Sequence, residues 1–192
     1  SGKDGLIRDV FTSMNPQGVN VASFKVPTSE EAAHDFLWRN HQKVPAKGMV
    51  QIFNRSHYED VLVTRVHGLC DDKTAAKRMK AINDFEQLLE ENNTHIIKLY
   101  LHVSHEEQIK RLQERLHIPR KMWKYNQNDI TESDRWAAYQ KYYEEVFDKC
   151  GKVPWHIIPS DQNWYKSYLT ARILQETLKS LKMKYPGLKK DS

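Results

Sequence analysis

Four short apolar runs, separated by helical patterns, constrain the fold of this 192-residue chain more than any other feature. They cover residues 19–24, 48–53, 94–103 and 155–159 and are rich in β-branched side chains, which is typical of buried strands. Strands that alternate with helices predict an α/β fold, in which a parallel sheet is flanked by helices. Such sheets bind ligands beyond the carboxyl ends of their strands.

The helical patterns carry their own start signals. Thr28 and Glu31 form a capping-box pair before one predicted helix, and Ser104 and Glu107 form another pair before the next. Two apolar stripes are predicted to pack on the core: Met79, Ile82, Phe85, Leu88 and Leu89 within residues 73–92, and Trp164, Tyr168, Leu174, Leu178 and Leu181 near the C-terminus.

The charge balance indicates a polyanionic partner. Lysine and arginine number 30 against 25 acidic residues, which suits nucleic acid, a membrane surface or a phosphate compound.

Cys70 and Cys150 show no C-x-x-C spacing, so neither a disulfide framework nor a thiolate zinc site is expected, and a reducing cytoplasm is the simplest location. With no apolar run near 20 residues, the sequence predicts a soluble protein. Neither a nucleophile triad nor a histidine zinc site is indicated.

The N-terminal stretch SGKDG allows two interpretations. Gly2 and Lys3 could end a Walker-type phosphate loop whose first half is missing from the sequence. Ser-Gly is also a common remnant of tag removal, and on this stretch alone that second interpretation is favoured.

Residues 53–66 follow the second predicted strand directly, so their first side chains are expected at the ligand-binding rim of the sheet. Arg55 offers a planar fork of donors to phosphate oxygens, His57 can hydrogen-bond a substrate, and Glu59 or Asp60 could hold magnesium. The alternative is that Arg55, Glu59 and Arg65 form an ion-pair ladder on a solvated helix. Spacing alone leaves both open.

A second basic set begins on a helix and continues into an aperiodic stretch, residues 116–136, that is predicted to be mobile. Its arginines and lysines could form a lid over phosphates, and the like charges of Arg111 and Arg115 favour an anion between them. The alternative is a simple Glu107–Arg111 pair on an exposed helix. The set comprises Lys110, Arg111, Arg115, Arg120, Lys121 and Lys124.

Several stretches in this order closely resemble the polyphosphate kinase 2 family: SGKDG, NPQGVNVASFKVPT, HDFLWR, FNRSHYEDVLVTRVH, INDFE and PWHIIPSDQNWY. The resemblance extends from Gly2 to about Tyr185. It implies a three-layer P-loop kinase fold related to thymidylate kinase, with one domain over residues 1–192, a helical lid at about 107–132 and a first strand missing from the sequence. It also implies phosphate transfer between inorganic polyphosphate and nucleotides with Mg²⁺.

The resemblance assigns roles to individual residues. Lys3 resembles the phosphate-loop lysine, and Arg55 resembles the arginine of the Walker B block that contacts the transferred phosphate. Glu59 is added to them as a candidate catalytic, metal-binding carboxylate. Further phosphate contacts are implied for Gly2, Asp4, Gly5, Arg111, Arg115 and Lys124. Nucleotide contacts are implied for Lys25, Arg39, Asn54 and His57.

Two departures from the family pattern affect these expectations. Many members carry aspartate where this chain has Asn54, and Glu59 is the candidate that restores the lost charge. The form NRSHYED resembles the subgroup that phosphorylates nucleoside monophosphates and diphosphates, so AMP and ADP, or GMP and GDP, are the expected acceptors. A polypeptide that began at Ser1 would be expected to have little activity, because half of the phosphate loop, with its aspartate, would be missing.

The leading hypothesis is therefore a polyphosphate-dependent nucleotide kinase, with no nucleic-acid or membrane partner and a homo-oligomeric assembly. An ATP-dependent nucleoside monophosphate kinase of the thymidylate kinase type is the alternative. A basic nucleic-acid-binding module is the third hypothesis, but the basic residues lie at strand ends and in the lid rather than among exposed aromatics along one helix.

Overall fold

The structure is a computed structural model and describes residues 2–185 and 187. Its strands are β1 (Val19–Ser23), β2 (Val50–Asn54), β3 (Lys98–His102) and β4 (Trp155–Pro159). Its helices are α1 (Lys3–Phe11), α2 (Ser29–Ala32), α3 (Trp38–His41), α4 (Val63–Val66), α5 (Asp72–Glu91), α6 (His105–His117), α7 (Pro119–Met122), α8 (Gln127–Ser133), α9 (Trp136–Lys149) and α10 (Asn163–Ser180). A single 3₁₀ turn covers His57–Asp60.

The strands form two parallel pairs. β1 runs beside β2 with Val19 opposite Val50, and β3 runs beside β4 with Lys98 opposite Trp155. Within the described residues these pairs are two separate two-stranded sheets. All four predicted strands are confirmed, although the third is limited to residues 98–102. The strand expected before residue 1 lies outside the described residues.

The hydrophobic core lies where α5 and α9 meet the segment after β2. Met79 and Ile82 of α5 are buried against Val61, Leu62 and Val146. Both cysteines are free and buried, in agreement with the prediction that the chain has no disulfide framework.

A buried polar cluster joins β3 to α5 and the 3₁₀ turn. Lys98 Nζ donates hydrogen bonds to Glu86 Oε2 at 2.8 Å, to Tyr58 Oη at 2.9 Å and to the Cys150 carbonyl at 2.8 Å. His57 Nε2 lies 3.3 Å from Glu86 Oε1. Burial favours the neutral Glu86 carboxyl, but hydrogen bonds from His57, Lys98 and Tyr58 outweigh burial, so its pKa is lowered. The cluster therefore contains an ionised pair inside the protein.

The predicted helix after Thr28 is shorter than expected. The Thr28–Glu31 capping box is confirmed, with both of its hydrogen bonds present. The helix ends at Ala32, because Asp35 Oδ1 accepts the Leu37 N–H at 2.9 Å and offers the backbone a local turn instead. A second short helix, α3, begins at Trp38.

The second capping box is half formed. The Ser104 hydroxyl accepts the Glu107 N–H, whereas the Glu107 carboxylate accepts from Arg111 Nε instead of turning back to the cap.

The expected packing role of Trp164 and Tyr168 is wrong within the described residues. Trp164 is 68% exposed and Tyr168 is 49% exposed.

The region of the predicted lid is helical throughout most of its length. Helix α6 packs on α7 and α8, and Pro119 occupies the first turn of α7, where its missing N–H leaves no hydrogen bond unmade. The aperiodic sequence thus corresponds to two short helices. Across residues 2–185, no helix is long and apolar enough to cross a membrane.

Candidate active site

Arg55 follows the last residue of β2 in an uncommon backbone conformation. Its φ of 66° lies in the left-handed region, which costs a residue with a β-carbon about 1–2 kcal/mol. The guanidinium is half exposed at the carboxyl end of the strand. Backbone strain of this kind clusters at functional sites, so the position of Arg55 supports a role in binding or catalysis.

The start of α1 meets this strand end. Asn54 Nδ2 donates to Asp4 Oδ1 at 3.0 Å, and Lys3 Nζ lies 3.3 Å from the same oxygen. Burial tends to raise the pKa of Asp4, but the Asn54 hydrogen bond and the charges of Lys3 and Lys124 lower it overall. The two predicted blocks, SGKDG and FNRSHYED, are therefore brought together in one place.

Glu59 contacts Arg55, the residue that follows Asn54. Its Oε2 is 3.5 Å from Arg55 Nη1. Burial raises the pKa of Glu59, against the opposing charges of Arg55 and Lys3. Lys3 therefore acts on both Asp4 and Glu59, and the three side chains form one electrostatic group.

The ion-pair ladder that was the alternative for this segment forms only in part. The Arg55–Glu59 contact exists, but Arg65 is buried and pairs with Asp72 and Glu145, at 2.7 Å in each case. The ladder does not extend along a solvated helix, because the chain turns into the core after Glu59.

Gly2 precedes α1 in a left-handed conformation, with a φ of 73°. A β-carbon at this position would lie 2.8 Å from Lys166 Nζ, so both the backbone and the available space favour glycine. Around Gly5, by contrast, nothing would lie within 4 Å of an added β-carbon. This open space fits the expected close approach of a phosphate to the first turn of α1.

Two of the lid residues are held by neighbouring acceptors. Arg111 Nε donates to Glu107 Oε1 at 2.8 Å, and Arg115 pairs with Asp129. Each guanidinium therefore has its own carboxylate in this structure, and an anion between Arg111 and Arg115 stays a prediction. The ammonium of Lys124 lies 5.0 Å from the Trp123 ring centroid, and its charge reaches Asp4.

Three predicted nucleotide-binding residues lie away from this group. Lys25 is exposed, and its carbonyl accepts from Arg39 Nη1 at 2.7 Å. Arg39 is 6% exposed and sits 3.6 Å from Asp60 Oδ2. His57 is also 6% exposed and faces Glu86. Arg39 and His57 are thus buried against protein carboxylates, and their contacts with a nucleotide stay predictions.

Lys166 is a residue that sequence reasoning missed. It is 2% exposed, and its Nζ donates to the Gly2 carbonyl at 3.2 Å. A signal was present, because Lys166 lies one turn into the helix that follows β4 and so near the rim to which the strands point. A lone lysine in a helical pattern nevertheless gave no reason to separate it from the exposed Lys179 of the same helix.

The parallel strands, the helix-start lysine and the strained arginine at a strand end define a P-loop kinase-like protein. A family model described as Polyphosphate kinase 2 (PPK2) matches residues 1–186. The chain belongs to the polyphosphate kinase 2 family.

Individual relatives agree with this assignment. The chain is 50% identical to the AMP/ADP-polyphosphate phosphotransferase of Meiothermus ruber, over 96% of this chain and 70% of the relative. It is 38% identical to the ADP-polyphosphate phosphotransferase of Rhodopseudomonas palustris, over 97% and 69%. The crystal structure of polyphosphate kinase 2 from Arthrobacter aurescens TC1 superposes with a TM-score of 0.96 at 44% identity, covering 100% of this chain and 68% of the other.

Kinases of this family generally need a divalent metal, and the carboxylates of the site fit one that is shared with phosphates. Among residues 2–185 no cluster of three or more histidine, cysteine or acidic side chains could enclose an ion. Mg²⁺ is usually held by one or two carboxylates together with water and substrate phosphates. Asp4 and Glu59, whose carboxyl groups both interact electrostatically with Lys3, supply that number.

Proposed function

We propose that this chain transfers the terminal phosphoryl group of inorganic polyphosphate to AMP or ADP, reversibly and with Mg²⁺. The observation that carries the proposal is the contact between α1 and the end of β2, which places Lys3, Asp4 and Asn54 within hydrogen-bonding distance beside Arg55. The names of the relatives from Meiothermus ruber and Rhodopseudomonas palustris support polyphosphate and adenine nucleotides as the substrates. The chain is a phosphotransferase, and guanine nucleotides are also expected to be accepted.

The proposed reaction needs positioning and positive charge rather than a general base. An oxygen of the acceptor phosphate, already anionic at neutral pH, attacks the terminal phosphorus, and the bond to the bridging oxygen breaks. The electron pair of the broken bond stays on the bridging oxygen, which becomes the terminal oxygen of the shortened polyphosphate. Lys3 and Arg55 stabilise the charge on the transferred group, and the N–H groups of the first turn of α1 bind its oxygens. Bound Mg²⁺ would neutralise phosphate charge as a Lewis acid.

The wider phosphate-binding set keeps the residues expected from the sequence except Asp4, which is assigned to the metal together with Glu59. We propose that Asp4 and Glu59 hold the metal, that Asn54 and Lys25 face the nucleotide, and that the remaining residues line the polyphosphate path: Gly2, Gly5, Arg111, Arg115 and Lys124. In this proposal residues 1–192 act as one domain with a lid at about 107–132. We also expect a cytoplasmic homo-oligomer.

The function is tested by supplying the full-length protein with ADP, Mg²⁺ and polyphosphate, without ATP. ATP should appear in a luciferase assay and should depend on polyphosphate, because the donor is polyphosphate and not a second ADP. AMP is tested in parallel by chromatography. If ATP phosphorylates AMP and polyphosphate has no effect, the alternative of an ATP-dependent nucleoside monophosphate kinase replaces the proposal.

Glu59→Gln is expected to raise the Mg²⁺ concentration required for half-maximal activity about tenfold, because the site loses one of its two carboxylates. The measurement is a magnesium titration of polyphosphate-dependent ATP formation. Glu106→Gln, an exposed change in α6, is the matched control and should leave the titration unchanged. An unaltered magnesium requirement in Glu59→Gln would remove Glu59 from the metal site.

A further inference from the structure

Lys166 is among the largest side chains that the fold buries completely. Its Nζ donates hydrogen bonds to two neutral oxygens, the Gly2 carbonyl at 3.2 Å and Asn163 Oδ1 at 3.0 Å. Within the described residues no carboxylate lies within ion-pair distance of it. A buried ammonium without a paired carboxylate costs free energy of folding, so the presence of Lys166 at this position needs an explanation beyond packing.

The surroundings of Lys166 add to this cost. Burial, and then the neighbouring charge of Arg111, lower the pKa of the Lys166 ammonium, and the more distant Asp9 opposes the shift only partly. Arg111 Nη1 is itself buried without a hydrogen-bond partner among the described residues. A β-carbon at Gly2 would lie 2.8 Å from Lys166 Nζ and 3.7 Å from Arg111 Nη1, so both cations lie beside Gly2 at the start of α1.

The same contacts continue to the lid. Arg111 Nη2 of α6 donates to the Ser160 carbonyl at 2.9 Å and to the Asp161 carbonyl at 2.8 Å. Ser104 is the residue before α6, and its backbone N–H donates a hydrogen bond to Asp161 Oδ1 at 2.9 Å. The loop between β4 and α10 is thus fixed to α6 on one side and, through Lys166, to Gly2 on the other.

We propose that Lys166 is a positioning residue for phosphoryl transfer. It fixes the Gly2 carbonyl at the start of α1, and with it the direction of the first-turn N–H groups and of Lys3. Arg111 binds the loop between β4 and α10. Through this loop, Lys166 also fixes the position of the first turn of α1 relative to α6. The inference rests on the proposed function for its reaction, but the contact between Lys166 and Gly2 carries it.

Lys166→Met tests the proposal, because methionine keeps the length and apolar stem of lysine and removes the hydrogen bond to Gly2. We expect kcat to fall about 10–100-fold, since a small displacement of a positioning group costs rate of this order. The KM for ADP should stay within about twofold. The thermal midpoint should not fall, because an apolar residue in place of a buried charge is often neutral or stabilising.

Thr170→Val is the matched control. Thr170 is buried on the same helix one turn further on, and its hydroxyl has no hydrogen-bond partner among the described residues. This nearly isosteric change should leave kcat and KM unchanged. A role of Lys166 in stability alone would instead lower the thermal midpoint of Lys166→Met and leave its kcat near the wild-type value.

Three outcomes separate this inference from the proposed function. If the wild-type protein forms ATP from ADP and polyphosphate and folded Lys166→Met matches its kcat, the positioning role is overturned. The same holds if Lys166→Met and Thr170→Val lose activity equally. If wild type uses ATP rather than polyphosphate, the proposed function fails, and the same comparison is made on ATP-dependent phosphorylation of AMP.

Discussion

Arg55→Ala is expected to lower kcat for polyphosphate-dependent ATP formation by about three orders of magnitude, because the arginine would no longer stabilise the charge of the transferred phosphoryl group. The guanidinium stands at the end of β2, beside the group formed by Lys3, Asp4 and Glu59. The fold should be unaffected, because alanine keeps the left-handed backbone cost that arginine already has. The measurement is a steady-state assay, with circular dichroism as the check on folding.

Arg172→Ala is the matched control for this prediction. Arg172 also pairs with a glutamate four residues later, Glu176, at 2.9 Å, and it is comparably exposed on α10. Loss of an exposed arginine–glutamate pair should therefore change kcat by less than about twofold. An Arg55→Ala enzyme that is folded and as active as Arg172→Ala would show that Arg55 does not contact the transferred phosphate.

Glu86→Leu is expected to lower the free energy of unfolding by about 3–5 kcal/mol, because it leaves the buried ammonium of Lys98 without its carboxylate. The measurement is urea denaturation followed by fluorescence. The double variant Glu86→Leu with Lys98→Met should recover most of the loss, since both charges are then replaced by apolar groups. The exposed change Glu176→Ala should shift stability by less than about 0.5 kcal/mol.

The pH dependence of the Glu86 effect follows from its lowered pKa. The stabilisation is fully present above the unfolded-state value of about 4.3, and it is lost as the pH falls through the lower folded-state value. The difference in urea midpoint between wild type and Glu86→Leu should therefore be constant from pH 7 to 5 and shrink below about pH 4. A difference that grew on acidification would contradict the ionised state of Glu86.

The strands could be predicted from sequence because parallel strands buried between helices need continuous apolar runs. The contact between α1 and β2 could be anticipated only through family resemblance, since Asp4 and Asn54 are 50 residues apart and no local pattern links them. The break in the helix after Ala32 was not predicted, because the Asp35 turn competes with an apolar spacing that fits a helix.

Burial of polar groups was the hardest property to predict. Arg39 and His57 have side chains that suit a phosphate or a nucleotide, and their sequence positions near strand and helix ends gave no sign that Asp60 and Glu86 would enclose them. Lys166 shows the reverse case, because its importance depends on a carbonyl 164 positions earlier in the chain. In each case the deciding partner is distant in sequence, and a single sequence carries no signal for contacts between residues so far apart.

The left-handed backbone at Arg55 sets stability against activity at a single position. Glycine would relieve the unfavourable φ, and asparagine would reduce it, at the cost of the guanidinium that the reaction needs. A selection for heat resistance alone would therefore enrich variants of Arg55 that melt later and no longer transfer phosphate. Directed evolution of a more durable enzyme from this chain should keep position 55 fixed and seek its gains elsewhere.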